Sequence, residues 1–331
     1  MYEGKTCLIT GGTGSWGHEL TRKLLTQQGP PREIRIFSRN EYLHYQMQQS
    51  FSGVGALTSL IGDVRDFTAV KAACRGVDYV FHLAALKHVP ICEAQPIEAY
   101  KTNVIGTQNV IRASLEEGVE KVIDVSTDKA VNPLNFYGIT KAMGEKLMIH
   151  ANTLSKRTRF VCIRGGNVLG TNGSVVPLFK RQIVENGEIT LTDAQMTRFF
   201  LTISEAIDLL LNAAETAIGG ETFVMKMKAC NIRHLALVMA QAWSRHPVPI
   251  REIGIRAGEK MHEILVSQDE AKSTHELANR YYVILPAYST SDLKHTYGAL
   301  PRVTFTAYDS NANLLDFAGI RSLLQQGGFL P

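Results

Sequence analysis

Thr6-Cys7-Leu8-Ile9-Thr10-Gly11-Gly12-Thr13-Gly14-Ser15-Trp16-Gly17 decides the fold of this chain. The first five residues form an apolar run of strand length, and an amphipathic helix is expected from the last glycine to about Gln28. A strand, a glycine-rich turn and a helix in that order leave free N–H groups at the helix start, where a pyrophosphate binds. Glycines at 11, 14 and 17 let the backbone turn tightly and approach the phosphates. Gly11, Thr13, Gly14, Ser15, Trp16 and Gly17 are therefore the expected cradle of a dinucleotide.

Working outward, Glu33-Ile34-Arg35-Ile36-Phe37-Ser38 is a second strand that ends in Ser38-Arg39. A free ribose 2′-hydroxyl usually meets a carboxylate at this strand end, whereas a 2′-phosphate calls for a cation and small hydroxyls. Ser38 and Arg39 point to NADP. A third strand over 57–62 delivers Asp63 and Val64 to the adenine edge. A fourth over 78–83 ends in Leu83-Ala84-Ala85, small enough for close approach to the cofactor. A long helix is expected from about residue 96 to 117, with Tyr100, Asn103, Val104, Thr107 and Ile111 at helical spacing; Asn103 is assigned to the cofactor side.

Lys121-Val122-Ile123-Asp124-Val125 is a further short buried strand, so Ser126-Thr127-Asp128-Lys129 falls at its carboxyl end, where open parallel sheets bind ligands. Tyr137 and Lys141 follow on a helix, four residues apart and hence on one face. A fixed cation beside a phenol lowers its pKa and makes it a usable proton acceptor. Acid, amine, phenol and second amine thus gather within one short stretch.

The chain has 331 residues, 45% apolar and 20% charged, with a formal charge of +4. These values suit a soluble protein with a substantial core, and the small charge and lack of a basic run give no argument for nucleic acid. Cys7, Cys74, Cys92, Cys162 and Cys230 are odd in number and scattered, as expected for reduced core residues of a cytoplasmic protein. No metal-ligand spacing is found, and His262-Glu263 lacks a second histidine. Asn172-Gly173-Ser174 is a glycosylation sequon only in a secreted chain. Met1 leads almost directly into the first strand, and no apolar run is long enough to span a membrane.

Strands and helices alternate to about residue 165, which predicts an α/β fold: a Rossmann-type doubly wound parallel sheet with a smaller carboxyl-terminal substrate-binding lobe. Residues 1–169 are read as the NADP-binding domain, with returning segments near 200–230. Residues 170–331 are read as mainly the substrate-binding lobe and a carboxyl-terminal extension. A helix opens at Ser174-Val175-Val176-Pro177, and Ser204 is read as the cap of a helix reaching Ala217.

These residues resemble the extended short-chain dehydrogenase/reductase family. The glycine turn at 11–17, the Tyr137/Lys141 pair and Arg164-Gly165-Gly166-Asn167-Val168 carry that likeness. Ala85-Leu86-Lys87-His88-Val89-Pro90, Ser126 through Pro133, Met196-Thr197-Arg198-Phe199 and Arg256 through Glu263 are similar to the inverting UDP-N-acetylglucosamine 4,6-dehydratases of the pseudaminic acid type. Asp128-Lys129 is the most specific element; dehydratases acting on dTDP-glucose carry Asp-Glu there. Gly165 departs from the pattern, standing where the narrower group has an aromatic residue. Residues 267–331 match no motif.

The resemblance implies that Tyr137, aided by Lys141, takes the proton of a sugar 4-hydroxyl, that Asp128 protonates the departing 6-hydroxyl and that Lys129 removes the C5 proton. Asp128 must then be protonated and Lys129 neutral. Thr127 would bond the 4-oxygen, and Ser126 would position the ring beside the cofactor. Lys87 would face cofactor or substrate, Asn167, Val168 and Val175 the substrate, Arg198 and Arg256 its diphosphate, and Glu259 the uridine ribose. Such proteins are homo-oligomers, dimers or hexamers. A 4-epimerase of the same family, which needs neither Asp128 nor Lys129, a C5-retaining dehydratase and a non-catalytic NADP sensor remain as alternatives.

Overall fold

The computed structural model of the protein describes residues 1–171 and 173–331. The sequon's Asn172 lies outside the described residues. Six strands appear in the expected order: β1 (Thr6–Thr10), β2 (Glu33–Ser38), β3 (Leu57–Ile61), β4 (Tyr79–His82), β5 (Lys121–Thr127) and β6 (Arg159–Gly165). They pair in parallel in the spatial order β6-β5-β4-β1-β2-β3. The order reverses between β1 and β4, and a crevice opens there at the carboxyl ends of the strands.

Side-chain alternation builds the two layers. Cys7 and Ile9 join one core with Leu20 and Leu24 of the helix Ser15–Thr26 and Ile207 and Leu210 of the helix Ile203–Thr216. Leu8 and Val122 point the other way, into a core with Val70, Val110 and Met148. Adjacent residues of a strand face opposite sides, so one apolar run feeds both layers. The α/β doubly wound sheet read from the sequence is the observed fold.

Several local readings change. The helix expected over 96–117 is interrupted: Pro96–Tyr100 and Gly106–Glu117 are α-helical, but Lys101–Ile105 forms a π-helical turn. Such turns sit as single insertions inside α-helices, so a coarse apolar period does not reveal them. The helix Ile203–Thr216 is capped by Thr202, not Ser204, in a reciprocal capping box with Glu205. The first helix ends at Thr26 rather than Gln28.

The sheet is also wider than the parallel set. Thr222–Met225 adds in parallel beside β6, and Tyr281–Ile284 and Thr274–Leu277 add antiparallel beyond it, so part of the unmatched segment completes the main sheet. A separate core gathers Phe179, Ile189, Leu191, Phe200, Leu235, Met239 and Leu323. It lies under the helices Val175–Arg181, Ile232–Trp243 and Phe317–Gln326. Among the described residues no helix is long and apolar enough to cross a membrane.

Candidate active site

A cavity of about 900 Å³ runs from the glycine turn past the ends of β2, β4 and β5 to the loop of Arg256 and Glu259. That volume suits a dinucleotide and a second ligand in one crevice.

At the cofactor end, Gly11 adopts φ +66°, and a Cβ there would stand 2.8 Å from the Cα of Ala84, so only glycine fits. At Gly17 a Cβ would fall 2.2 Å from the carbonyl oxygen of Gly12, which keeps the helix start against the turn. Gly14 occupies the N-cap without a side-chain cap, leaving the first helical N–H groups directed at the cavity. Thr13 and Ser38 share a hydrogen bond of 2.9 Å, and Ser38 is also 2.9 Å from Nε2 of His44. Arg39 and Asp63 both line the cavity; Asp63 is paired with Arg65 at 2.6 Å.

Trp16, Val64, Leu83, Ala84, Ala85, Lys87, Ser126, Thr127, Lys129, Tyr137, Lys141, Asn167, Val168, Arg256 and Glu259 also line it. Five expected site residues stand behind the wall instead. Gly17 serves the turn, and Val175 begins a helix of the carboxyl-terminal lobe. Asn103, in the π-helical turn, accepts from the N–H of Leu86 at 2.8 Å and donates to its carbonyl at 2.9 Å, so it fixes the loop under the cavity. Arg198 donates to the carbonyls of Thr197 and Met261. Asp128 is fully buried.

The reactive groups are organised from below. Asn135 caps the helix Phe136–Ala151 by accepting from the N–H of Gly138 at 2.8 Å. One turn in, Tyr137 faces the cavity, and Lys141 extends beneath it to both oxygens of Asp124, each at 3.3 Å. Asp124 sits on the same face of β5 as Val122 and Ser126, wholly enclosed. Burial pushes the Lys141 ammonium down, but Asp124 and Tyr137 outweigh it and hold the group above its ordinary value. Burial outweighs Lys141 and Lys129 and leaves the Tyr137 phenol above its ordinary value, where a lowered one was expected.

Asp128 accepts from Thr127 Oγ1 at 2.9 Å and from Lys129 Nζ at 3.0 Å, both on Oδ1. Its Oδ2 is buried with no hydrogen-bond partner among the described residues. Lys129 also meets Oε1 of Glu263 at 3.3 Å, and Arg198 Nε stands 3.7 Å from the same oxygen. Burial raises the Asp128 carboxyl despite Lys129, as an acid requires. The Lys129 side differs from expectation: burial lowers its ammonium, yet Asp128 and Glu263 together hold it well above the ordinary lysine range. A lysine between two enclosed carboxyls is a cation in this arrangement, where a neutral amine was expected.

Two members were missed in the sequence. Asp124 carried a signal, an acid inside an otherwise apolar strand. Glu263 stood in a quoted motif but was weighed only as a metal-protease fragment. At the unusual Gly165 a Cβ would lie 3.4 Å from Met225 Sδ, an ordinary contact.

Residues 7–285 match the family described as polysaccharide biosynthesis protein. The chain is 45% identical over 295 residues, 88% of its length and 86% of the relative's, to UDP-N-acetylglucosamine 4,6-dehydratase (inverting) of Campylobacter jejuni subsp. jejuni. It is 43% identical over 287 residues, 86% of its length and 84% of the relative's, to a UDP-glucose 4-epimerase of Rickettsia bellii. The crystal structure of Pen from Bacillus thuringiensis, 38% identical, superposes with a TM-score of 0.93 over 100% of both chains.

Proposed function

This chain belongs to the family of polysaccharide biosynthesis proteins, and from that premise we propose that it is a UDP-N-acetylglucosamine 4,6-dehydratase that uses NADP and inverts C5. The observation that carries this reading is the Asp128-Lys129 pair, hydrogen-bonded at 3.0 Å beside Tyr137 at the carboxyl end of β5. A 4-epimerase, the activity named for the Rickettsia relative, has no use for an acid at C6 or a base at C5.

The residues at the nucleotide end fit a nicotinamide dinucleotide: the Gly11 and Gly17 clearances, the uncapped helix start and the small Ala84 are what a pyrophosphate against backbone needs. Ser38 and Arg39 at the end of β2 favour a 2′-phosphate. Such a cofactor supplies the acceptor for the C4 hydride and its later donor to C6.

Tyr137 takes the 4-hydroxyl proton, with Lys141 stabilising the phenolate and Thr127 bonding the same oxygen. The resulting ketone acidifies C5–H. Lys129 receives that proton after yielding one of its own, and Asp128, enclosed behind Thr127 and Lys129, donates to the departing 6-hydroxyl once the bound sugar displaces that cover. Arg256 and Glu259 take the diphosphate and ribose. Self-association belongs to the same reading, since Ile97, Tyr100, Ile139 and Met143 are exposed on two packed helical segments.

The test is NMR of the product formed from UDP-N-acetylglucosamine in deuterated water. A 4-keto-6-deoxy sugar with deuterium at C5 and inverted configuration is expected. A C4 epimer with hydrogen retained at C5 would overturn the proposal.

A further inference from the structure

We propose that Glu263 is the resident counter-ion of Lys129, which leaves the transferable proton of this buried cluster on Asp128 and provides the place to which Lys129 discharges its own proton. The inference rests on the dehydratase reading for its catalytic meaning, but the protonation pattern stands apart from any substrate.

Two carboxyl groups flank one ammonium. Lys129 Nζ is 3.0 Å from Asp128 Oδ1 and 3.3 Å from Glu263 Oε1, and the second oxygen of each carboxyl is buried without a partner among the described residues. Both side chains are almost fully enclosed, at 0% and 4% exposure. One cation supports one carboxylate in such a setting, and a second negative charge there meets like-charge repulsion. The groups around the cluster decide which acid ionises. Glu263 has Arg198 at 3.7 Å and Lys260 nearby; Asp128 has Thr127 and lies on the Tyr137 side. Lys87 adds positive potential at Lys129 from across the cavity. Arg198 stands with Glu263 alone while Lys260 reaches both acids, and accordingly the Glu263 carboxyl, despite its burial, is held below the usual range while burial raises that of Asp128.

The backbone of Glu263 is fixed for this task. Its N–H donates to Ser310 Oγ at 2.9 Å, and its carbonyl accepts from Ser310 N at 2.8 Å. In the reaction a Lys129 N–H bond breaks with its electron pair left on nitrogen, and the proton bonds Glu263, against the resting preference of both groups, so this transfer is the unfavourable step of the sequence. The freed amine takes the C5 proton as the C5–H pair moves toward C6 and the C6–O bond breaks. The proton of Asp128 goes to the leaving oxygen. The cluster's charge is zero before and after. Glu263 touches no substrate atom and is a positioning residue.

Infrared difference spectroscopy of the purified protein without substrate tests this, because a neutral carboxylic acid absorbs well above a carboxylate. The wild-type minus Asp128→Asn difference should contain a neutral-acid band that shifts on labelling aspartate with carbon-13 at its carboxyl. In Glu263→Gln that aspartate band should vanish, because Asp128 must then ionise beside Lys129; Glu263→Asp should retain it. A merely structural role leaves the band in Glu263→Gln and overturns the proposal, as does a wild-type band that ignores the aspartate label. If Glu263→Gln cannot be purified, Lys129→Met decides: the band should persist without the cation, and its loss would refute the assignment. Product analysis with UDP-N-acetylglucosamine bears on the dehydratase reading alone, so the two can fail separately.

Discussion

Replacing Lys141 by methionine should make the protein lose stability progressively as pH rises, because it strands Asp124. In the intact protein both Asp124 oxygens are 3.3 Å from the Lys141 ammonium, and neither side chain is more than 5% exposed. Burial, with Glu145, leaves the Asp124 carboxyl raised in the intact protein too, and Lys141 limits that rise through charge and hydrogen bonding, so the two proteins part only above the wild type's own raised value. Without the cation only the upward push remains, so the folded variant carries a proton on Asp124. The unfolded chain, with an ordinary aspartate value near 4, releases that proton above about pH 4. The folded state then binds more protons than the unfolded one, so stability falls with pH by about 1.4 kcal/mol per unit. The window opens near the unfolded value and closes at the raised folded value of the variant. At pH 7 the limit is roughly three units, or about 4 kcal/mol, within the range for breaking a buried pair from one side.

The assay is urea unfolding of wild type and Lys141→Met, followed by circular dichroism at pH 5, 6, 7 and 8. The stability gap between the two should widen with pH. Adding Asp124→Leu removes the titrating group, so the double variant should recover most of the loss at pH 7 and show no widening. A gap that stays constant with pH, or a double variant no more stable than Lys141→Met, would refute the account of this pair.

Three other outcomes follow from the geometry. Lys129→Ala should abolish C5 deuterium exchange while leaving nucleotide binding intact, and full exchange would remove Lys129 from its role. Arg39→Ala should weaken NADP at least tenfold with NAD little changed, as expected when a charge-assisted contact worth about 1.5–3 kcal/mol is lost; fluorescence titration with both nucleotides reads the ratio. Gly11→Ala places a Cβ 2.8 Å from the Ala84 backbone at φ +66°. It should abolish cofactor retention, measurable as nucleotide released from the purified protein on denaturation.

What was legible in the sequence was local. The turn at 11–17 needs only its neighbours in the chain, and the Tyr137/Lys141 spacing fixes a shared helix face whatever surrounds it. Asp128 and Lys129 followed from the end of a strand. The partners were not legible, because they come from distant segments: Glu263 reaches Lys129 from the other end of the chain, and Arg164 meets Glu145 at 2.7 Å and Glu270 at 3.0 Å. Tyr281-Tyr282-Val283-Ile284 has strand composition, but pairing with Thr222–Met225 depends on an edge that β6 leaves open only once the sheet exists. Asn103 is assigned to the cofactor side on a helix expected to be continuous. The π-helical turn sends its amide to the Leu86 backbone instead.

The strip from Arg256 to Glu263 runs from the cavity mouth to the buried acids. Its first residues, Arg256 and Glu259, line the cavity 3.7 Å from each other. The carbonyl of Gly258 accepts from Asn135 Nδ2 at 2.9 Å, and Lys260 Nζ donates to the carbonyl of Val131. At its end Glu263 meets Lys129. The same strip therefore lines the cavity with two charged groups, braces the residue that caps the Tyr137 helix and brings a carboxyl to Lys129. Binding energy gained far from the reacting carbons reaches the chemistry when it is spent on holding such groups in place. N-acetylglucosamine 1-phosphate, which lacks the uridine and one phosphate, should consequently lose turnover as well as affinity. Steady-state kinetics at saturating sugar separate the two: a kcat equal to that of the full nucleotide sugar would mean that the strip binds without positioning.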